Sequence, residues 1–359
     1  MRPGADDQQP PDEVSPTAVY LTPPQHLTRI SLALRGMRPS AADLEAVEAD
    51  PDVLPSIVDR YLATPAFAET IKELHNETLL VRIEVPQFTY PAIGPLAGVT
   101  ARDINTGKFD EPLRLIEDIV MNDQPYTKIV TADYTMTNSV TAAMWGMTHS
   151  GAPDAWTRTP LPDARPKLGI LSSNALYDRW RSAGFNYNRG RANLISRALL
   201  CHDFLSSDIV VDTSIDLADP DVVANAVMKN SSCAGCHQTL DPLASYLFTF
   251  RNTLAPVGVS AYPVTYYSPG TANRWMTANK RPPMFFGQST GDTTGLGTAI
   301  ANDPRFAKCT AMRFASYFTE VAQNELSNAW IARLQKALVD SNFNAKALTK
   351  AIMLSDEFR

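Results

Sequence analysis

The chain has few cysteines, few glycines and no concentration of basic residues, and these shortages exclude several classes of protein. Four cysteines in 359 residues are too few for a disulfide framework, so the fold must depend on a hydrophobic core. The net charge of -6 comes without any block of Lys and Arg, which argues against nucleic-acid binding. No apolar run reaches the roughly 18–20 residues that span a bilayer. We therefore expect a soluble chain with a packed core and no transmembrane span.

Proline, with 27 residues, outnumbers glycine, with 17, and this reversal of average usage predicts long irregular connections. Residues 1–23 are polar and rich in proline, so we expect a flexible tether. They contain no apolar segment of the kind that forms a secretory signal. After the tether we expect a helical N-terminal module over 24–150, a loop-rich connecting segment over 151–215 and a second helical domain over 216–359.

Apolar residues recur at three-to-four spacing in most of the chain, which predicts helices. In the N-terminal module, Ser40 and Thr64 are expected to precede helices, and Gly36 is expected to end one. The stretch VGVSAYPVTYY, residues 257–267, is expected to contain short strands. The prediction is a mainly α fold, with a multi-helix N-terminal module followed by a helical region with long irregular loops.

Cys233, Cys236 and His237 form the C-x-x-C-H pattern that is typical of covalent c-type haem attachment. Two thiols separated by two small residues can form thioether bonds to both vinyl groups at one edge of a porphyrin, and the adjoining histidine reaches the iron from that side. A redox dithiol, a zinc site that adds Cys201 and His202, and chance occurrence remain alternatives. The pattern favours one covalent haem c, with His237 as the proximal iron ligand.

The order of helices resembles that of small single-haem cytochromes c, with one helix before the motif, an irregular stretch after it and further helices beyond. In that plan the irregular stretch supplies the sixth iron ligand, for which Met284 is the first candidate and Met276 an alternative. The side chains of Met312, His149 and His202 also remain open.

The residues that follow the motif offer further contacts to a haem and to its ligand. A ligating histidine normally donates its second ring N–H, and Pro242 provides a carbonyl and Asp241 a carboxylate for it. Tyr246 is a candidate wall of the porphyrin, and Arg251 is a candidate partner of the propionates. The other candidates are Phe248 and Phe250 for the wall, and Arg274 and Arg281 for the propionates.

Cys201 and Cys309 are left over from the motif. Haem is attached outside the cytoplasm, where free thiols tend to be oxidised, so we expect a Cys201–Cys309 disulfide, with two buried free thiols as the alternative. By the same argument the chain is exported to the periplasm or the cell surface. A signal peptide would then have been removed, and a lipoprotein anchor is a further option.

The string CAGCHQTLDPLASYLFTF resembles the haem-binding region of the large secreted cytochrome-c-related proteins that are abundant in planctomycetes and myxobacteria. The resemblance extends over about residues 110–359 and implies an extracytoplasmic c-type cytochrome. The chain departs from the family where residues 188–191, Asn-Arg-Gly-Arg, replace its usual Asn-Arg-Thr-Ser-Pro string. The other segments that carry the resemblance are TADYTMTNSVTAAMWG, LGILSSNALYDRW, NRGRANLISRALLC, DPRFAKCTAMRFASYF and ALTKAIMLSDEFR.

These observations together predict electron transfer by one covalently bound haem. The long helical region before the motif would dock a redox partner, such as another cytochrome or a membrane electron-transfer subunit. One alternative is a haem enzyme such as a peroxidase, which needs an open iron position and a polar distal pocket; another is a structural protein whose haem stabilises the fold. No motif of another enzyme class is present, and His75, with Glu73 and Glu77 nearby, is interpreted as part of a solvated face.

Overall fold

A computed structural model describes residues 19–83, 89–182, 187–206, 212–216, 218–250, 259–264, 266–278 and 280–359. Helices dominate these residues, which confirms the mainly α prediction. The α-helices are α1 (Pro23–Arg35), α2 (Ala41–Ala49), α3 (Leu54–Leu62), α4 (Pro65–Leu79), α5 (Ala101–Gly107), α6 (Glu111–Met121), α7 (Ser139–Trp145), α8 (Asn174–Arg179), α9 (Arg189–Leu200), α10 (Pro220–Lys229), α11 (Ser231–Ser245), α12 (Arg274–Ala278), α13 (Thr293–Asn302), α14 (Pro304–Thr319), α15 (Asn328–Asp340) and α16 (Ala345–Met353). Short 3-10 helices cover Pro51–Val53, Gly94–Leu96, Lys108–Asp110, Tyr126–Ile129, Gly169–Ser172, Tyr246–Thr249, Pro269–Thr271 and Gln323–Glu325.

Among the described residues, 19–70 and 307–359 form one compact unit. In α1, Leu27, Ile30 and Leu34 are fully buried, because the three- and four-residue spacing places them on one face. The Nε2 atom of His26 lies 2.8 Å from the Met353 carbonyl oxygen and so connects α1 to α16. Helices α1 and α16, which are far apart in sequence, therefore belong to one unit and are joined by a hydrogen bond.

The ends of the first helices follow the capping rules that the sequence predicted. Gly36 has a φ of 67°, a left-handed conformation in which glycine is least strained, and it ends α1. The Ser40 hydroxyl accepts a hydrogen bond of 3.1 Å from the Asp43 backbone N–H and caps α2. Thr64 directly precedes α4, as expected. These local predictions are confirmed.

The other unit comprises residues 71–306 and contains the C-x-x-C-H motif. Within its described residues, strands β1 (Tyr134–Thr137) and β2 (Thr157–Pro160) pair antiparallel and bring residue 134 opposite residue 160. A glycine is required at position 169 of the same unit, because a Cβ there would lie 2.1 Å from the Ile129 carbonyl oxygen.

The short strands expected at 257–267 are wrong for the part of that stretch that is described. Residues 259–264, 266 and 267 contain only an isolated bridge between Phe250 and Tyr267. Pro263 lacks an N–H group and so interrupts a strand ladder, and the Val264 N–H bonds instead to the Met144 carbonyl, 2.9 Å away.

Three further expectations concern the organisation of the chain. The tether lies outside the described residues, apart from positions 19–23. The domain boundaries at 150 and 215 stay a prediction. Within the described ranges, every helix is too short or too polar to cross a lipid bilayer.

Candidate functional site

The C-x-x-C-H motif lies inside helix α11, whereas the sequence placed it after a helix end. The Asn230 side chain caps α11 by accepting a hydrogen bond of 3.0 Å from the Ser232 backbone N–H. Cys233, Cys236 and His237 follow at positions i, i+3 and i+4, which share one face of a helix. All three side chains are partly exposed, and both cysteines are free thiols.

One turn further along α11, Asp241 binds the imidazole ring of His237. The Asp241 carboxylate accepts a hydrogen bond from Nδ1–H of His237 across 2.9 Å, with the proton assigned to Nδ1 because a carboxylate can only accept. The Asp241 side chain is fully buried, whereas that of His237 is 22% exposed. Among the described residues, Nε2 of His237 has no hydrogen-bond partner. The ring is thus held by one nitrogen and presents the other.

Arg189, the first residue of α9, binds the same carboxylate. Its Nε atom lies 2.6 Å from Oδ1 of Asp241, and a terminal guanidinium nitrogen lies 3.1 Å from Oδ2. Burial alone would raise the pKa of Asp241, but the hydrogen bonds from His237 and Arg189 outweigh it and lower the pKa. The sequence did not identify Arg189 as a site residue. Its only signal was its place in the string that departs from the cytochrome-c-related family.

Pro242 has a different partner from the one that the sequence proposed. Its carbonyl accepts a hydrogen bond of 3.2 Å from the backbone N–H of Met284. The Ser245 hydroxyl donates to the Arg281 carbonyl, 3.0 Å away. The segment 281–284 therefore runs along the C-terminal half of α11, and the backbone of Met284 lies one turn beyond the motif. Met276 lies in α12 and is 54% exposed.

The aromatic residues after the motif are buried in the protein's own core. The Tyr246 hydroxyl shares a hydrogen bond of 2.7 Å with the Thr290 hydroxyl. The Phe250 ring stacks on Tyr177, with ring centroids 4.1 Å apart. Phe248 is also buried. Arg251 lies outside the described residues, whereas Arg274 is exposed at the start of α12.

His202 belongs to an aromatic cluster beside Cys236. Its ring packs edge-on against Phe204 and Phe286, with centroid distances of 4.6 and 5.5 Å. The Arg305 guanidinium lies 3.8 Å above the centre of the Phe286 ring. The Phe204 carbonyl oxygen lies 3.9 Å from the Cys236 sulfur. Burial and the charge of Arg305 lower the pKa of His202, which favours the neutral ring.

The zinc alternative required a Cys201 thiolate. Cys201 and Cys309 are both disulfide-bonded, in agreement with the expected disulfide, so Cys201 has no thiolate to offer a metal ion. Over the described ranges, no group of three or more His, Cys, Asp and Glu side chains is arranged to hold a metal ion. The two cysteines that carry free thiols are therefore Cys233 and Cys236 of the motif.

The interpretation of His75 as part of a solvated face is wrong. His75 is buried, with Nδ1 2.6 Å from the Ile71 carbonyl oxygen and Nε2 2.6 Å from the Tyr126 hydroxyl. His149 likewise has contacts at both ring nitrogens, with the Ala152 carbonyl and the Thr157 hydroxyl. Both ring nitrogens of His75 and of His149 are therefore hydrogen-bonded, whereas His237 uses only Nδ1 within the described part of the chain.

Comparison with known proteins finds no match for the chain, whether among protein-family models, curated proteins or solved structures. The resemblance to secreted cytochrome-c-related proteins therefore stays a prediction, and a function has to be argued from the residues of the site.

Proposed function

We propose that the protein is an extracytoplasmic c-type cytochrome that holds one covalent haem at α11 and exchanges electrons with a redox partner protein. One observation carries the proposal: Cys233, Cys236 and His237 share a helix face, with both thiols free and Nε2 of the histidine unbonded within the described part of the chain. When bound, the haem would supply one-electron exchange between ferric and ferrous iron.

The donor set of this face suits a covalent haem. Cys233 and Cys236 would hold the group by thioether bonds, and His237 would bind the iron through Nε2. Asp241 supports this role because a carboxylate at Nδ1 fixes the tautomer and the orientation of a ligating imidazole. A helix keeps the three donors in a fixed relation, so little conformational freedom would be lost on binding.

Large apolar side chains are also exposed on the segments that adjoin α11. The side chains of Leu205 and Met228 are 67% and 40% exposed, and Val222 on the same short helix as Met228 is 39% exposed. Leu205 follows Phe204, which contacts Cys236, and α10 packs directly against α11. An apolar cofactor at α11 would be compatible with these exposed apolar side chains on the neighbouring segments.

Met284 is the residue that we favour as the second axial ligand. The Pro242 carbonyl holds its backbone against α11, close to the motif in three dimensions. His202 is the alternative, because its aromatic cluster adjoins Cys236. The choice between Met284 and His202 affects the reduction potential, since a methionine ligand gives a higher potential than a second histidine.

The proposal is tested by expressing the chain with an export signal in cells that attach haem to C-x-x-C-H motifs. The expected result is one covalent haem in the denatured mass, a matching pyridine haemochrome spectrum and a reversible redox titration. The double variant Cys233→Ser/Cys236→Ser should carry no covalent haem, whereas the control Ser231→Ala on the same helix should carry a full complement. Export of the unaltered chain without covalent haem would overturn the proposal.

A haem enzyme is a second candidate, and one observation favours it. His237 donates to a carboxylate rather than to a carbonyl, which raises the basicity of the ligand and stabilises ferric iron. A high-spin ferric spectrum with rapid consumption of peroxide would support this function. A six-coordinate, low-spin spectrum in both oxidation states would favour electron transfer.

A further inference from the structure

Arg189, Asp241 and His237 form a continuous chain of hydrogen bonds between two helices. Arg189 lies at the start of α9, and the other two residues lie on α11. Oδ1 of Asp241 is shared, at 2.6 Å from Nε of Arg189 and 2.9 Å from Nδ1 of His237. The Arg189 side chain is 20% exposed, whereas the carboxylate between it and the imidazole is fully buried.

We propose that Arg189 is a positioning residue that acts on His237 through Asp241 and thereby sets how strongly the imidazole donates to iron. This inference rests on the proposed function. A guanidinium that binds both carboxylate oxygens fixes the plane of that carboxylate. Because Oδ1 also accepts the His237 Nδ1–H, fixing the carboxylate fixes the ring that presents Nε2.

Asp241 and Arg189 should shift the reduction potential in opposite directions. An anionic Asp241 makes His237 a stronger donor, which stabilises ferric iron and lowers the reduction potential. Arg189 draws part of the carboxylate charge toward itself and so weakens that effect. Loss of Arg189 should therefore lower the potential, whereas loss of the Asp241 charge should raise it. General damage to the site would not produce opposite shifts.

The first experiment is a double-mutant cycle on the haem-loaded protein, with the reduction potential measured by spectroelectrochemistry. We expect Arg189→Gln to lower the potential and Asp241→Asn to raise it. Arg189→Lys should lower the potential less than Arg189→Gln does. It should not match the unaltered chain, because an ammonium cannot bind both carboxylate oxygens in the same plane. In the Asp241→Asn background, Arg189→Gln should keep less than half of its shift.

Two results would overturn the inference. One is an Arg189→Gln shift of the same size in both backgrounds, which would show that the arginine acts on the iron by its charge alone. The other is an equal shift in the control Arg197→Gln, which removes a positive charge from the last turn of the same helix.

A second readout separates failure of the inference from failure of the proposed function. Nitrogen NMR of the full chain expressed without haem attachment reports which ring nitrogen of His237 carries the proton. We expect Nδ1–H in the unaltered chain, and a mixture of tautomers in Arg189→Gln because the carboxylate is no longer fixed. If no covalent haem forms, the proposed function fails. If the His237 signal is the same with and without Arg189, the positioning role fails.

Discussion

Two buried aspartates in the same unit, Asp178 and Asp241, are surrounded in different ways. Both side chains are at most 1% exposed, and each carboxylate accepts hydrogen bonds from an arginine and from a second cation or imidazole. Burial alone would raise the pKa of both carboxyls, but their partners outweigh it and lower the pKa of each. The difference lies in what the partners can still bind.

The network around Asp178 is closed. Nζ of Lys108 lies 2.6 Å from its Oδ2 and 3.7 Å from the centre of the Tyr90 ring. The hydroxyls of Tyr90 and Tyr266 and the guanidinium of Arg181 all donate to Oδ1. Lys108 is fully buried, and burial lowers its pKa to about 8. A buried polar network of this kind favours one packing arrangement over others.

The network around Asp241 is open. It ends at His237, which is partly exposed and presents Nε2 on the face that carries two free thiols. A buried carboxylate with several hydrogen bonds therefore joins core residues at Asp178, whereas at Asp241 it orients the His237 imidazole. Both aspartates are buried charged groups. Among the described residues, only the Asp241 network leaves a nitrogen lone pair, that of His237 Nε2, available for binding at the surface.

The largest effect should follow from Asp178→Asn. This change removes the anion and leaves the Lys108 ammonium buried among aromatic rings, at an expected cost of about 3–5 kcal/mol in the free energy of unfolding. Urea unfolding measures the cost. The control is Asp340→Asn, which breaks an exposed ion pair with Lys336 and should cost less than about 1 kcal/mol. A cost for Asp178→Asn no greater than that of the control would show that the network is not closed.

A smaller effect should follow from Asp241→Asn. Arg189 and His237 both reach water, so they can be solvated when the carboxylate charge is lost, and the expected cost is about 1–3 kcal/mol. Urea unfolding of both proteins under identical conditions measures it. A cost as large as that of Asp178→Asn would mean that the two networks do not differ in the way proposed.

Features that depend on neighbouring residues could be predicted from the sequence. The mainly α class, the cap at Ser40 and the helix stop at Gly36 all follow from local periodicity and from local hydrogen bonds. The C-x-x-C-H motif was equally visible, because its chemistry lies in five consecutive residues. Asp241 is predictable as a possible partner of His237 for the same reason, since it follows within one turn.

Features that depend on distant residues could not be predicted in this way. Arg189 and Asp241 are 52 positions apart, and Asp178 is 70 positions from Lys108, so only the packing of helices brings them together. The burial of His75 is an example, because a histidine between acidic residues has the pattern of a surface, whereas Tyr126, 51 positions away, contacts its ring. Sequence patterns describe the chain near a residue and not the element that packs upon it.

The smallest effect is a change with pH in the cost of Asp241→Asn. The pKa of Asp241 is lowered in the folded protein relative to the usual value of about 3.9 for an unfolded chain. Its carboxylate therefore contributes stability above about pH 3.9, and this contribution is lost as the pH falls through the folded pKa. The difference in unfolding free energy between the unaltered chain and Asp241→Asn should therefore shrink as the pH falls below 4.

The measurement is a series of urea unfolding curves at pH 7, 5, 4 and 3 for both proteins. The change cannot exceed the full cost of the substitution, about 1–3 kcal/mol, because it is a part of that cost. Ser231→Ala, on the same helix and without a titratable group, should give a difference that does not vary with pH. A difference for Asp241→Asn that grows toward low pH would mean that burial, and not Arg189 and His237, dominates the ionisation of this carboxylate.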